Sequence, residues 1–315
     1  MATKEKADVE AKKSASVADA SFAGARAAAE ISRLESVPLD PGLYLVATPI
    51  GNLGDITLRA LSVLARADVV YCEDTRHSGV LLHHFAIRAA MRPYHEHNAE
   101  EQRGRVLAEL GEGKRVALIS DAGTPLVSDP GFKLVREAAA QGHAVIAIPG
   151  PSAALAALTS SGLPTDAFYF TGFLPSRETA RKVRIRELQA VPGSLVFFES
   201  PQRVAETLAD LAEVLGPRAG AVARELTKLH EEIARGSLEE LAAAFSKREL
   251  KGECVILVGP PVAGEVSDEA IQERLGAALE TMSLRDAAKT LADALGVPKA
   301  RIYDLGLQLK REAEE

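Results

Sequence analysis

Short apolar runs alternate with longer amphipathic stretches between residues 43 and 161. A short apolar run followed by Gly, Pro, Asp or Thr is typical of a buried strand that ends in a loop. The pattern predicts strand Leu43–Ala47, a helix from Thr57 through Ala65, strands Asp68–Cys72 and Arg115–Ile119, helix Asp129–Gln141, strand His143–Ile148 and helix Ser152–Ser161. Strands that alternate with helices at this spacing predict βαβ units and a largely parallel sheet.

The second half of the chain has a different pattern, and we expect a domain boundary near Gly150–Leu163. Its predicted elements are strand Leu195–Glu199, a helix from Pro201 to Leu215, paired strands Ala219–Arg224 and Lys228–Arg235, helix Ser237–Ser246 and strand Glu253–Val258. Residues beyond Pro260-Pro261 are predicted to be helical. The predicted organisation is a flexible tail over 1–39 with a transient helix from Ala18 to Leu34, α/β domains over 40–152 and 153–261, and a helical unit over 266–312.

Composition indicates an ordinary globular protein with an aliphatic core, since 47% of residues are hydrophobic, aromatic residues make up 4% and Trp is absent. No apolar run approaches the roughly 20 residues of a membrane span. The two cysteines, Cys72 and Cys254, lie inside apolar runs and are expected to be small core residues in a reducing compartment. The N-terminal tail has no apolar region for secretion, so we expect a cytoplasmic protein without a membrane partner.

The net charge of −7 argues against a nucleic-acid binder, because phosphate backbones attract Lys and Arg. Basic residues nevertheless cluster between Arg177 and Arg186, where Glu178 is the single acid. A second group lies in the helical tail and consists of Lys299, Arg301, Lys310 and Arg311. Screening weakens the effect of acids more than roughly 10 Å away, so local contact with RNA is compatible with the acidic total.

Polar, glycine-containing loops follow the predicted strands, and the two most prominent are Thr48–Asp55 and Ser120–Pro125. In parallel sheets ligands bind beyond the carboxyl ends of the strands, so these loops are expected to form a site. The plainer alternative is a pair of well-capped turns between strand and helix. Neither loop matches G-x-G-x-x-G or G-x-x-x-x-G-K-[ST], so no phosphate cradle is predicted.

Charged residues also follow two other predicted strands, as Glu73–Arg76 and Glu199–Arg203. The alternative for both is a solvated helix N-terminus, where acids are favoured by the helix dipole. The segment Tyr94–Asn98 has two histidines at a spacing that would place them on one face of a strand. No third ligand is evident, so a polar surface loop is the favoured interpretation, substrate contact is second, and no metal is predicted.

The loops, taken in chain order, resemble those of the 16S ribosomal RNA cytidine 2′-O-methyltransferases, a branch of the tetrapyrrole methylase superfamily. The resemblance runs from about Gly42 to Pro260 and rests on Leu45–Leu53, Asp55–Thr57, Glu73–Arg76, Ser120–Pro125, Asp129–Gly131, Pro149–Ala153, Gly172–Pro175 and Phe198–Pro201. It implies a two-domain α/β class III methyltransferase fold, with S-adenosylmethionine bound between the domains, and commonly a homodimer. The tail resembles the helix-turn-helix-like unit of the same branch.

The Gly-Asp-Pro cofactor loop of the superfamily falls on Gly123-Thr124-Pro125, so Thr124 stands where the porphyrin and corrin enzymes have an acid. This departure matches the RNA-modifying branch. The cofactor contacts implied by the resemblance are Pro49, Asp121, Ala122, Gly123, Thr124, Pro125, Ser152, Ala153 and Glu199, with weaker cases at Glu225 and Cys254.

The implied reaction is attack of a ribose 2′-hydroxyl on the sulfonium methyl, which requires positioning and a base. Candidate bases are Asp74, Asp121 and Glu199, and the expected catalytic set is Asp74, Arg76 and Glu199. Expected contacts to 16S rRNA of the 30S subunit are Arg177, Arg181, Lys182, Arg184 and Arg203. The alternatives are a tetrapyrrole C-methyltransferase, a non-catalytic RNA-binding module that kept the cofactor cleft, and a nucleotide-dependent α/β enzyme, which the missing phosphate motifs disfavour.

Overall fold

The computed structural model describes residues 22–261, 268–295 and 297–312 of the 315-residue chain. A first helix, α1, occupies residues 22–36 and is followed by the Pro-containing segment 37–41. The helix expected from Ala18 to Leu34 is therefore present in its described part, while residues 1–21 of the predicted tail lie outside the described residues.

The first sheet has the strand order β3-β2-β4-β1-β5, and its neighbouring strands are all parallel. Its elements are β1 (Gly42–Val46), the 3₁₀ turn Leu53–Asp55, α2 (Leu58–Arg66), β2 (Val69–Cys72), α3 (Thr75–His84), β3 (Met91–Pro93), α4 (Ala99–Gly111), β4 (Arg115–Ile119), α5 (Phe132–Ala140) and β5 (Val145–Ile148). The parallel sheet expected from the alternating pattern is thus confirmed. Every parallel neighbour ends at the same edge, which places the polar loops together.

Two apolar layers enclose this sheet, one on each face. Along β1, Tyr44 and Val46 join the helices α2 and α3 in one core, while Leu43 packs with α4 and α5 in the other. Alternate residues of a strand point to opposite faces, so a strand covered on both sides is apolar throughout. This explains why the strand appears in the sequence as a continuous apolar run.

The second sheet is mixed, with the order β6-β7-β10-β8-β9. In the described part of this sheet, β6 and β7 pair in parallel, and the other neighbouring strands are antiparallel. Its elements are α6 (Ala153–Ser161), β6 (Phe168–Phe173), α7 (Glu178–Glu187), β7 (Ser194–Glu199), α8 (Val204–Leu215), β8 (Ala219–Arg224), β9 (Glu232–Ser237), α9 (Leu238–Phe245) and β10 (Cys254–Val258). Helices α7, α8 and α9 cover one face, and α6 together with Ile50 of the first half covers the other.

Two elements begin later than the sequence predicts, because tight turns occupy their expected first residues. Helix α5 begins at Phe132 rather than Asp129, since Leu126 and Ser128 have φ of 71° and 67°. Strand β9 begins at Glu232 rather than Lys228, since residues 225–231 form a turn. The expected pairing of β8 with β9 is confirmed.

The C-terminal unit consists of three helices, α10 (Asp268–Leu279), α11 (Leu284–Leu295) and α12 (Lys299–Glu312). They enclose a core of their own around Ile271, Ala287 and Ile302. The expected helical tail is therefore present, whereas the exact boundaries at 40, 153 and 266 remain predictions. Of the basic residues expected there, Arg301 pairs with Asp268 at 2.6 Å, and the side chains of Lys310 and Arg311 lie outside the described residues.

Across the described ranges, none of the helices is both long and apolar enough to cross a membrane.

Candidate active site

A cleft of about 300 Å³ opens at the carboxyl ends of β1, β2 and β4. The loops that follow these strands form most of its wall. The lining residues are Thr48, Pro49, Ile50, Gly51, Leu53, His77, Ser78, Val80, Leu81, Ser120, Asp121, Ala122, Lys228 and Glu253. The structure therefore brings together the loops that the sequence singles out, as the parallel strand order requires.

The loops after β1 and β4 are joined by backbone hydrogen bonds. The Thr48 N–H donates to the Gly123 carbonyl and the Gly123 N–H donates to the Thr48 carbonyl, both at 2.9 Å. The buried Thr48 hydroxyl donates to the Ser120 carbonyl at 3.1 Å. Gly123 has φ of 82°, and a Cβ on it would lie 3.3 Å from Cγ2 of Ile50. Glycine is needed here because the turn is left-handed and tightly packed.

Thr124 links this loop to the loop after β5. Its hydroxyl donates to the Pro151 carbonyl at 3.0 Å, next to Ser152, which caps α6. A carboxylate at position 124 could not donate this hydrogen bond, so the threonine in place of the acid expected from the Gly-Asp-Pro loop joins the loops after β4 and β5.

The expected cofactor residues divide into three groups. Pro49, Asp121 and Ala122 line the cleft itself. Ala153 lines a small neighbouring cavity, and Ile50 and Glu253 lie on the walls of both. The remaining expected residues are absent from the lining of either space, and they are Gly123, Thr124, Pro125, Ser152 and Glu199, together with the weaker cases Glu225 and Cys254.

Asp74 and Arg76 form an exposed pair at the start of α3. The Arg76 N–H donates to Oδ1 of Asp74 at 2.8 Å, and its Nη2 lies 2.8 Å from Oδ2. The Arg76 side chain thereby lowers the pKa of Asp74 to about 2. The Asp74 N–H donates to Oδ1 of Asp121 at 3.1 Å, so the two predicted residues do meet. A carboxylate of such low pKa is a weak proton acceptor at neutral pH.

Asp129 has the opposite electrostatic environment, and the sequence did not single it out as a functional residue. Burial raises the pKa of its carboxyl to about 6, and the charge of Glu73 adds to this effect. A hydrogen bond with the Ser120 side chain lowers the pKa of Asp129, and the charge of Asp121 raises it. Asp129 thus belongs to a group of carboxylates at the edge where β2 and β4 end. Only its place in the Asp129–Gly131 motif could have indicated it.

Glu199 is buried and bonded within the protein, so its expected catalytic and cofactor roles stay predictions that would require exchange of its present partners. Its side chain is 0% exposed. Oε2 accepts from the Thr207 hydroxyl and Oε1 from the Ser200 N–H, both at 2.8 Å. Arg203, which lies 3.4 Å from the same carboxylate, donates to the carbonyls of Leu174 and Pro175 at 3.0 Å. Arg203 therefore stabilises the loop that follows β6, and Glu199 lies beside its guanidinium.

The basic segment of α7 is also less available than its sequence suggests. Arg181 is 2% exposed, and its guanidinium lies 2.5 Å from Asp210 and 3.0 Å from Glu206. The expected contact between Arg181 and RNA stays a prediction that the structure disfavours, because the acids of α8 pair with this buried side chain. Arg177 and Arg186 are exposed.

Two other members of this segment are paired with acids. Lys182 is 18% exposed and lies 2.8 Å from both Glu178 and Glu213. Arg184 pairs with Glu187 at 2.7 Å. Contact of these two side chains with RNA stays a prediction, and it would require exchange of these partners.

Residues 94–98 form a bend after β3, in which Tyr94 is buried and Asn98 accepts from the His95 N–H at 2.8 Å. His95 and His97 lie edge to face with centroids 6.0 Å apart. Within the described ranges, no cluster of three or more His, Cys, Asp or Glu side chains is placed to hold a metal ion.

The second half of the chain reaches the cleft through the turn between β8 and β9. The Asn52 N–H donates to the Thr227 hydroxyl at 3.1 Å, and Lys228 lines the cleft beside Glu253. The sequence suggested strand structure at Lys228 and gave no sign of a role in the site. Its position depends on the turn, which periodicity does not predict.

The family model for tetrapyrrole (corrin/porphyrin) methylases matches residues 42–242, and the model of the RsmI C-terminal HTH domain matches residues 265–310. Proteins named ribosomal RNA small subunit methyltransferase I are similar over most of the chain. The relative from Mesorhizobium japonicum is 52% identical and covers 88% of this chain and 95% of its own length. The relative from Pseudomonas aeruginosa is 45% identical, with coverages of 84% and 96%.

Solved structures share the fold at low identity. A diphthine synthase has a TM-score of 0.55 at 17% identity and covers 84% of this chain and 99% of its own. The cobalt precorrin-4 methyltransferase CbiF has a TM-score of 0.52 at 20% identity, with coverages of 69% and 94%. The two-domain α/β architecture, the cleft at the carboxyl ends of the strands and these matches agree. The chain belongs to the tetrapyrrole (corrin/porphyrin) methylase family, among the proteins named ribosomal RNA small subunit methyltransferase I.

Proposed function

We propose that this protein transfers the methyl group of S-adenosylmethionine to the 2′-hydroxyl of a cytidine in 16S rRNA of the small ribosomal subunit. The observation that carries the proposal is the cleft beside the Ser120–Pro125 loop, in a chain whose relatives are named for ribosomal RNA methylation. Thr124, bonded to Pro151, replaces the acid of the tetrapyrrole enzymes and supports an RNA substrate over a porphyrin or corrin.

The cleft suits S-adenosylmethionine in size and charge. Its volume of about 300 Å³ is in the range of small-molecule sites. The carboxylate of Asp121 lies on its wall and would complement the positive sulfonium and ammonium groups. When bound, the cofactor supplies a methyl group already activated by positive sulfur. Pro49, Asp121 and Ala122 would hold it, and the polypeptide must position the hydroxyl and remove its proton.

We assign proton removal to Asp129, which is absent from the cleft lining but contacts Ser120 on the cleft wall, and orientation of the substrate to Asp74 and Arg76. A carboxyl with a pKa of about 6 is deprotonated at neutral pH and still accepts a proton more readily than an ordinary aspartate. Asp74, with a pKa of about 2, is a much weaker base. The exposed guanidinium of Arg76 is suited to a phosphate.

The test uses the full chain, radiolabelled S-adenosylmethionine and 30S particles or naked 16S rRNA, followed by nucleoside mass analysis. A 2′-O-methylcytidine is the expected product. Methylation on a base, or methyl transfer to a tetrapyrrole precursor instead, contradicts the proposal. Binding of the cofactor in calorimetry without transfer to any RNA would identify a binding module.

The base assignment is tested with Asp129→Asn, using Asp166→Asn in an exposed loop as the matched control. We expect a loss of about 10²- to 10⁴-fold in single-turnover rate for the first variant and none for the second. The wild-type rate should rise with pH through about 6, as Asp129 loses its proton. A wild-type rate in Asp129→Asn would refute the assignment.

RNA contact is proposed for the exposed Arg177 and Arg186, together with the helical unit that carries Lys299. We further propose a homodimer in the bacterial cytoplasm. Sedimentation of the purified chain tests the homodimer, since a monomer at working concentration would exclude it.

A further inference from the structure

The turn between β8 and β9 carries backbone strain next to the cleft. Glu225 and Thr227 have φ of 52° and 66°, values that are costly for residues with a Cβ. Hydrogen bonds hold the turn in place, with the Thr227 N–H donating to Glu231 at 2.6 Å and its hydroxyl accepting from the Asn52 N–H. Such strain persists where the surrounding structure enforces it, which is common at ligand sites.

The strained turn directs Lys228 across the loop that follows β1. The lysine stem lies directly on the backbone of Gly51, where an added Cβ would overlap Cγ and lie 2.9 Å from Cε. The ammonium group lies 2.8 Å from Oε1 of Glu225 and 3.2 Å from Oε2 of Glu253. Burial alone would lower the pKa of Lys228, but these two acids raise it, so the group stays charged.

The two acids hold Lys228 unequally. Glu225 is 18% exposed and also accepts from the Glu253 N–H at 3.1 Å, while Gly252 leaves room for its side chain. Glu253 is 72% exposed, and an ion pair with so exposed a partner is weak. The carboxylate of Glu253 can therefore be exchanged for another anion without moving Lys228.

We propose that Lys228 binds an anionic group of one of the two reactants, either the carboxylate of the cofactor or a phosphate of the RNA. Among the described residues that line the cleft, Lys228 is the single Lys or Arg, and it faces a wall that carries Asp121. A fixed cation in an otherwise acidic cleft recognises the one negative group of a reactant and orients it. This inference rests on the proposed function and adds a binding residue to it.

The test compares Lys228→Met, which keeps the aliphatic stem over Gly51, with Lys251→Met, an exposed lysine outside the cleft. Calorimetry measures S-adenosylmethionine and 5′-methylthioadenosine, which lacks the carboxylate. If Lys228 binds the cofactor, the variant loses at least tenfold in affinity for S-adenosylmethionine and none for methylthioadenosine. If it binds RNA, cofactor affinity is unchanged, while 16S rRNA affinity falls and its salt dependence decreases by about one phosphate contact.

Unchanged affinity for both reactants in Lys228→Met would overturn the inference while leaving the proposed function intact. Failure of the wild-type chain to bind either reactant would refute the proposed function itself. Glu253→Gln provides an independent measurement if Lys228→Met folds poorly, because removing the exchangeable acid should tighten binding of the same reactant. Weaker or unaltered binding in Glu253→Gln would then count against an anion site at Lys228.

Discussion

The buried cation of α7 allows a direct test of the difference between a structural and an RNA-binding role. Arg181 is 2% exposed and its Nε donates to Asp210, which is 8% exposed, at 2.5 Å. Its Nη1 also donates to the Ser176 carbonyl at 3.2 Å and to Glu206 at 3.0 Å. Removing one partner of a buried pair costs about 3–5 kcal/mol where the other charge is left uncompensated. Lys182 lies 3.5 Å from Asp210 and keeps part of the compensation, so the lower end of this range applies. We expect Arg181→Met to lower the free energy of unfolding by about this amount.

Urea unfolding followed by circular dichroism measures the effect, and Arg177→Met is the matched control. Arg177 is exposed at the start of the same helix, so its loss should change stability by less than about 0.5 kcal/mol while weakening binding to 16S rRNA. The double variant Arg181→Met/Asp210→Leu should recover much of the loss, since apolar replacement of a whole buried pair is often neutral. A stable Arg181→Met protein with weakened RNA binding would refute the reasoning.

Three further substitutions test the geometry around the cleft. Gly252→Ala should destabilise more than Gly113→Ala in thermal unfolding, because both have positive φ but only the first places a Cβ against Glu225. Thr124→Val should cost about 1 kcal/mol in urea unfolding, since it leaves the carbonyl after β5 without its donor. For Asp129, the folded pKa lies above the unfolded value, so wild-type stability should fall as pH rises from about 4 to about 6, and Asp129→Asn should abolish this dependence.

The first sheet could be predicted well because each of its longer strands is apolar on both faces and ends in a polar loop. Arg115–Ile119 matches β4 to the residue. The edge strand Met91–Pro93 was not predicted, since three residues, two half-buried and one exposed, are too few to show a periodicity. The second sheet was only partly predicted. Strand Phe168–Phe173, which lies at the edge of the second sheet, was not predicted, because its aromatic run gives no alternation of polar and apolar positions.

The charged residues show where sequence reasoning fails and why. Arg181 lies in a basic run that is typical of a solvated surface, yet it is buried because Asp210 and Glu206 approach from the next helix. Glu199 likewise follows a strand as a site residue would, but Thr207 satisfies it in the interior. In both cases the deciding partner lies eight to 29 residues away and is brought near only by packing.

Asp129 and Lys228, the two residues proposed for the site that sequence patterns missed, share a structural feature. Leu126, Ser128, Glu225 and Thr227 are four of the five non-glycine residues with positive φ in the described chain. Two of them lie just before Asp129 and two just before Lys228. Both loops contact the other half of the molecule. Ser128 lies 2.9 Å from where a Cβ of Gly172 would be, and Thr227 accepts from the loop after β1. A left-handed backbone conformation at a non-glycine residue costs about 1–3 kcal/mol, so residue propensities do not predict it. Here the packing of the two halves of the chain around the cleft enforces these conformations.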